Sequence, residues 1–198
     1  MPDCIRTQVQ RRRAPAPIRR SGGFTMVELI VVMILIGILG AIGAARFFSR
    51  TGFDAAAYAE QSAAMLRYAQ KLAIAQNRSV FVQASTQGVR LCYDASTPCA
   101  SAQQVGAPAG SNSGSTSTRA FCTTGGSYTP GWHCEGVPSG ATMTLSPVAA
   151  GAFFFNGLGR PFLATDTGDS TFGGLTLTVK GDDLTRSVTV EQETGYVH

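Results

Sequence analysis

Charge is scarce in this chain. Only 14% of its 198 residues are charged, against about a quarter in an ordinary soluble domain, and none lies between Leu29 and Ala45. Histidine is nearly absent, with His133 and His198 alone, and there is one tryptophan, Trp132. No G-x-S-x-G, H-E-x-x-H, P-loop or C-x-x-C spacing occurs, so the usual nucleophile, zinc and phosphate-cradling patterns are missing. Asp182 and Asp183 are paired carboxylates, but adjacent residues point apart and read as a solvated turn. No enzyme, cofactor or metal is expected. Proline is missing between Pro17 and Pro98, so nothing in that stretch forces a helix to break. A hydrophobic content of 44% excludes a disordered tail or a rod as the whole.

The basic balance is confined to one end. Arg6, Arg11, Arg12, Arg13, Arg19 and Arg20 precede Gly22 against the single acid Asp3, leaving ten basic and 11 acidic residues from Gly22 onward, a net charge of −1. A nucleic-acid surface should show a basic stripe, and Glu191 and Glu193 near the C-terminus weaken that reading further; no nucleic-acid partner is expected. After the arginines, Ser21-Gly22-Gly23 leads into Phe24-Thr25-Met26-Val27-Glu28 and then seventeen uncharged residues, Leu29–Ala45. With Phe24–Val27 the apolar run reaches the roughly twenty residues that span a bilayer as a helix. The six arginines before it place the N-terminus in the cytoplasm. A secretory signal peptide fits poorly, since no small-residue cleavage site follows the apolar run.

Glu28 is the unusual residue. A carboxylate within an apolar span costs about 2.5–3.5 kcal/mol on insertion scales and ordinarily has a partner. The intact sequence offers no cation at that depth. Cutting after Gly23 would supply one, the new α-amine of Phe24, which Glu28 of a staggered neighbouring helix could neutralise.

Gly23-Phe24-Thr25-Met26-Val27-Glu28 followed by an apolar helix resembles the class III signal peptide of type IV pilins and type II secretion pseudopilins. The resemblance implies cleavage after Gly23 by a prepilin peptidase, N-methylation of Phe24 by the same enzyme, and use of Glu28 in assembly. A second resemblance, to the GspH/FimT family, rests on Phe155-Asn156-Gly157-Leu158-Gly159-Arg160-Pro161, Arg186-Ser187-Val188-Thr189-Val190 and Thr194-Gly195-Tyr196-Val197. The segment Leu66–Ala75 is also similar to minor pilins of the mannose-sensitive haemagglutinin (MSHA) pilus. The implied fold is α+β and type IV pilin-like: a long N-terminal helix, transmembrane in its first half, packed on a C-terminal antiparallel sheet domain.

Residues 1–23 then read as a cationic leader, 24–48 as the transmembrane assembly helix, 49–78 as its amphipathic continuation and 79–198 as a periplasmic β-rich domain. The implied location is the bacterial inner membrane, single-pass with the N-terminus in the cytoplasm, and afterwards a pilus or pseudopilus. Implied partners are the prepilin peptidase, other major and minor pilins, and an inner-membrane assembly platform. A minor subunit that primes or caps a filament leads; a tip adhesin or DNA-binding minor pilin is the alternative.

Residue spacing refines this outline. Phe53, Ala57, Tyr58, Met65, Leu66, Tyr68, Ala69, Leu72 and Ala73 recur at helical intervals, predicting a helix from Phe24 to about Asn77. Gly37, Gly40 and Gly43 within it read equally as local weakness or as close-packing surface. Strands are predicted at 79–83, 89–93, 141–145, 152–155, 174–179 and 187–190, with a hairpin at Gly181-Asp182-Asp183. Residues 100–118, rich in Ser, Gly, Ala and Gln, read as a mobile loop. Cys4 falls in the leader. Cys92, Cys99, Cys122 and Cys134 allow three pairings; Cys92–Cys99 with Cys122–Cys134 is preferred because each closes a short loop. A zinc site would have to recruit His133. Trp132 and Phe153–Phe155 read as core or interface.

Overall fold

The computed structural model of the chain describes residues 23–47, 50–147 and 151–198, with side chains for all of these except 41–47 and 50. The cationic leader before Gly23, Cys4 included, lies outside the described residues. Two compact units result, divided after Phe47. In the first, Met26–Phe47 forms α1. The second begins with α2, Arg50–Gln76, followed by ten strands. The helix predicted over 24–77 is thus two described helical elements.

Strands β1 (Val80–Ser85), β2 (Gly88–Cys92), β5 (Cys134–Gly136), β7 (Ala152–Phe155) and β8 (Pro161–Leu163) make a five-stranded sheet ordered β5-β2-β1-β7-β8. Strands β6 (Ala141–Ser146), β9 (Leu175–Gly181) and β10 (Leu184–Val190) make a second sheet ordered β10-β9-β6. Short strands β3 (Thr123–Thr124) and β4 (Ser127–Tyr128) pair with each other. Every pairing is antiparallel. The six strands predicted from the sequence are all present. The hairpin at Gly181-Asp182-Asp183 is also found: Gly181 pairs with Leu184, and Asp182 takes φ 47°, a left-handed value that aspartate tolerates.

Period-two alternation decides which side chains face inward. In β9, Leu175, Leu177 and Val179 are buried while Thr176, Thr178 and Lys180 point away. Helix α2 packs on this core mainly with small residues: Ala55, Ala59, Ala63, Ala69 and Ala73 are buried beside Tyr58, Met65 and Leu66. The spacing argument misplaced one edge of this face. Phe53 is 69% exposed and Ala57 is exposed as well, because the buried stripe runs through Ala55, Ala59 and Ser62 instead.

The C-terminus closes the second sheet. Val197 bridges Val190, the Thr189 and His198 backbones exchange hydrogen bonds of 2.8 and 3.0 Å, and Glu191 N–H donates to Tyr196 O at 2.9 Å. The tail therefore covers part of the outer edge of β10, where unpaired backbone groups would otherwise invite association. Helix α2 fixes this closure. Arg67 Nε donates to Val197 O at 3.1 Å, and the Gln70 amide donates to Gly159 O at 2.9 Å and to Thr194 O at 2.8 Å. Three stretches distant in sequence thus meet at one glutamine.

The predicted mobile loop at 100–118 is corrected. It holds a 3-10 turn, Ser101–Gln103, and leads into α3, Thr116–Phe121, capped by Ser115. What orders its C-terminal part is a buried carboxylate, Glu135, only 4% exposed. Its oxygens accept from Ser113 N–H at 2.7 Å, Ser113 Oγ at 2.5 Å and Thr118 Oγ1 at 2.8 Å. A buried charge requires such donors, so the serines and threonine that suggested flexibility serve instead as ligands of the carboxylate.

Close approach of α2 to the β9–β10 hairpin depends on Gly181, where an added Cβ would meet Thr51 O and come within 2.7 Å of Ala55 Cβ. Gly181→Val is expected to cost about 1–3 kcal/mol, the ordinary range for overpacking, and to lower the urea unfolding midpoint without altering the slope.

Candidate processing and assembly segment

Gly23, Phe24 and Thr25 precede the first helical residue, Met26. Thr25 begins the helix in the usual way of a threonine cap: its Oγ1 accepts from Glu28 N–H at 3.2 Å and its carbonyl from Leu29 N–H at 3.2 Å. The Gly23–Phe24 peptide bond therefore lies outside the helical hydrogen bonding, and Phe24 is 81% exposed. Glu28 sits in the first turn of α1, where the helix dipole favours an anion. Gly23, Phe24 and Glu28 are thus gathered within one turn of a helix start.

Beyond them the surface is apolar on all sides. Every large apolar side chain from Phe24 to Leu39 is at least 44% exposed, a pattern that belongs to a helix surrounded by lipid or by other helices. Among the described residues no helix is long and apolar enough to cross a membrane; the described side chains of α1 end at Gly40, whereas the uncharged sequence runs on to Ala45.

Residues 18–44 match the family model of the prokaryotic N-terminal methylation motif. The chain carries that motif. The motif fits the pilin-like reading of the sequence. No curated protein matches the chain. Among solved structures, two crystal forms of the Pseudomonas aeruginosa (strain PAO1) type IV minor pilin FimU are similar. One is 16% identical with a TM-score of 0.42, covering 72% of this chain and 84% of that one. The other is 15% identical with a TM-score of 0.41, covering 72% and 89%. A likeness at this level carries no weight for function.

The remaining candidates lie elsewhere. Cys92 is bonded to Cys99 and Cys122 to Cys134, with Cα separations of 6.0 and 5.8 Å. The four sulfurs surround Trp132, whose Nε1 donates to Leu91 O at 2.8 Å. Together they form a second small core, with Arg90 stacked above Phe121 and Trp132 and its guanidinium pKa lowered by burial. Among the described residues no group of three or more His, Cys, Asp and Glu could hold a metal ion. His198 pairs with Glu191 at 2.9 Å on the surface. Glu135 escaped sequence reading altogether; its one signal is a lone acid between Cys134 and Gly136, in a stretch with no alternation.

His133 stands edge-on to Tyr68, ring centroids 5.1 Å apart. Burial holds its pKa below the ordinary value, and the nearby Glu135 charge pulls back more weakly. The unfolded chain therefore takes up that proton more readily than the folded one. Stability from this group is complete above the unfolded value of about 6.5 and is lost as pH falls below it toward the folded value. Urea midpoints are expected to drop between pH 7 and pH 5, and His133→Phe, which keeps a ring against Tyr68, should flatten that dependence.

Proposed function

We propose that the chain is a minor pilin or pseudopilin subunit, cut between Gly23 and Phe24, methylated on the Phe24 amine, and assembled into a filament through its N-terminal helix. The observation that carries this reading is the methylation motif over residues 18–44 joined to a helix start that leaves Gly23–Phe24 outside the helix. On this reading cleavage leaves the Thr25 cap intact and creates a cation that Glu28 of a neighbouring subunit neutralises, offsetting the cost of a carboxylate in an apolar helix. Glu28 thereby sets the stagger between helices. Gly23, as a residue without a side chain, leaves the scissile bond open to the peptidase.

The further assignment to the GspH/FimT kind, and with it priming or capping of the filament, is supported by the convergence on Gln70. The Asn156–Arg160 turn and the Thr194–Val197 tail, which carried the resemblance, are both bound by α2. The subunit would sit in the inner membrane, with its N-terminus in the cytoplasm and the 79–198 domain in the periplasm, before entering a pilus or pseudopilus.

The test is the intact mass of native chain taken from membranes or sheared filaments. Residues 24–198 plus one methyl group, less four hydrogens for two disulfides, is the expected value; a mass of residues 1–198 would overturn the reading. Glu28→Gln is expected to keep the processed mass and to remove the chain from the sheared filament fraction, at least tenfold by immunoblot.

A further inference from the structure

The second unit holds two separate cores. The larger takes its residues from α2 and both large sheets. The smaller consists of Cys92, Cys99, Cys122, Cys134 and Trp132, with Phe81, Phe121 and Tyr128 packed against it. Residues 93–133 serve the smaller core almost alone. Val105 is their only Val, Leu, Ile or Met and their only buried member of the larger core, with Tyr93 packed alongside. The larger core is therefore complete without this segment, and the segment has little apolar matter of its own.

Both disulfides fasten the segment to the same place. Cys92 ends β2 and Cys134 begins β5, neighbouring strands in which Arg90 pairs with Cys134. Their partners, Cys99 and Cys122, both lie within 93–133. Its other ties to the sheet include hydrogen bonds to Leu91 O from Val105 N–H at 3.2 Å and Trp132 Nε1 at 2.8 Å, and those from Ser113 and Thr118 to Glu135. Such bonds replace bonds to water and each adds little net stability, whereas ordering a long segment costs entropy at every residue. All four cysteines are 0% exposed. Exchange requires a thiolate to touch a disulfide sulfur directly, so an oxidant reaches these sulfurs only while the segment is open.

We propose that residues 93–133 form an oxidation-dependent flap, open while the four cysteines are thiols and closed over β2 and Phe81 once both disulfides exist. Helix α2 and strands β1, β9 and β10 stand in either state. For each bond, two cysteine thiols exchange with the disulfide of an oxidant, which leaves as two thiols, so protons and electrons balance. An open flap uncovers Phe81, the end of an aromatic row with Phe154 and Phe162 whose ring centroids are 4.9 and 5.3 Å apart. It also withdraws the hydroxyl donors of Glu135. An unoxidised chain therefore presents an aromatic surface of the kind that associates, and oxidation hides it. The flap needs neither cleavage nor methylation and stands apart from the filament reading.

The experiment is amide hydrogen exchange, read by mass spectrometry, on the full chain in detergent micelles. One sample is oxidised and the other is kept in dithiothreitol throughout its preparation. Amides of 93–133 are expected to exchange at least about a hundredfold faster in the reduced chain, and those of α2, β1, β9 and β10 to stay within about threefold of the oxidised one. Trp132, the sole tryptophan, gives a second reading: its emission should move to the red on reduction and return when oxidised glutathione is added. A variant carrying Cys92→Ala, Cys99→Ala, Cys122→Ala and Cys134→Ala should match the reduced chain and ignore the oxidant. A reduced chain that keeps 93–133 protected, or one that loses α2, β9 and β10 along with it, overturns the flap. So does Trp132 emission that regains its final value while all four thiols still react with iodoacetamide.

Discussion

The distance at which α2 can lie on two sheets constrains everything built after it. Its inward face is set by Ala55, Ala59, Ala63, Ala69 and Ala73, so the helix backbone comes close enough for Gly181 to touch Thr51 and Ala55. Alanine contributes little transfer energy per residue, and most of the large apolar groups come from the strands, Phe153, Phe155, Leu91, Leu175 and Leu177, joined by Met65 and Leu66 of the helix. Mostly small residues on the helix and large ones on the sheet let the two layers interdigitate closely.

That proximity makes α2 a polar anchor as well as an apolar lid. Tyr58 donates to Glu135 O at 3.2 Å, and burial pushes the Tyr58 phenol well above its ordinary pKa. About two and a half turns later, Arg67 and Gln70 reach the C-terminal tail and the Gly159 turn. A helix that ends at Gln76 is therefore stitched to residues near 135, 159 and 197. Such contacts join parts of the chain far apart in sequence, and loop-closure entropy must be spent before they form. The two disulfides close short loops by comparison, with separations of 7 and 12 residues, and act locally on the region that lacks large aliphatic side chains.

Elements whose side chains alternate between core and water were legible in the sequence. β9 and β10 show Leu-Thr-Leu-Thr-Val and Ser-Val-Thr-Val, and their turn residues follow at once. The Gly23–Glu28 pattern was equally legible, because it depends on residue identity at fixed spacing and not on tertiary context. β5 was not, since Cys134, Glu135 and Gly136 are all buried and nothing alternates. The 100–118 segment misled for a related reason: composition reports how a stretch behaves alone, whereas this one is ordered by backbone bonds to Leu91, Pro130, Gly131 and His133 and by the Glu135 carboxylate some twenty residues downstream. Phe53 misled in the opposite direction, since an aromatic at helical spacing looks like core until the alanines beside it are seen to be the buried face.

The two units divide the chain's physical demands between them. The second satisfies most of its own: its core is apolar, its sheet edge is partly covered by its own tail, and its buried acid has donors. The first cannot, because every large apolar side chain from Phe24 to Leu39 is exposed and only lipid or other helices remove such a surface from water. Glu28 sharpens the point. In a helix meant merely to anchor, a carboxylate costing about 2.5–3.5 kcal/mol would be pure loss, and the Thr25 cap offsets only part of it through the helix end. The cost is recovered only if a positive charge arrives at the same depth. On the reading proposed above that charge is the amine released by cutting before Phe24, one turn ahead of Glu28 on the same helix face, supplied by the subunit itself or by a neighbour displaced along the helix axis. On that reading, the sequence feature least favourable to a lone helix is the one that assembly would use.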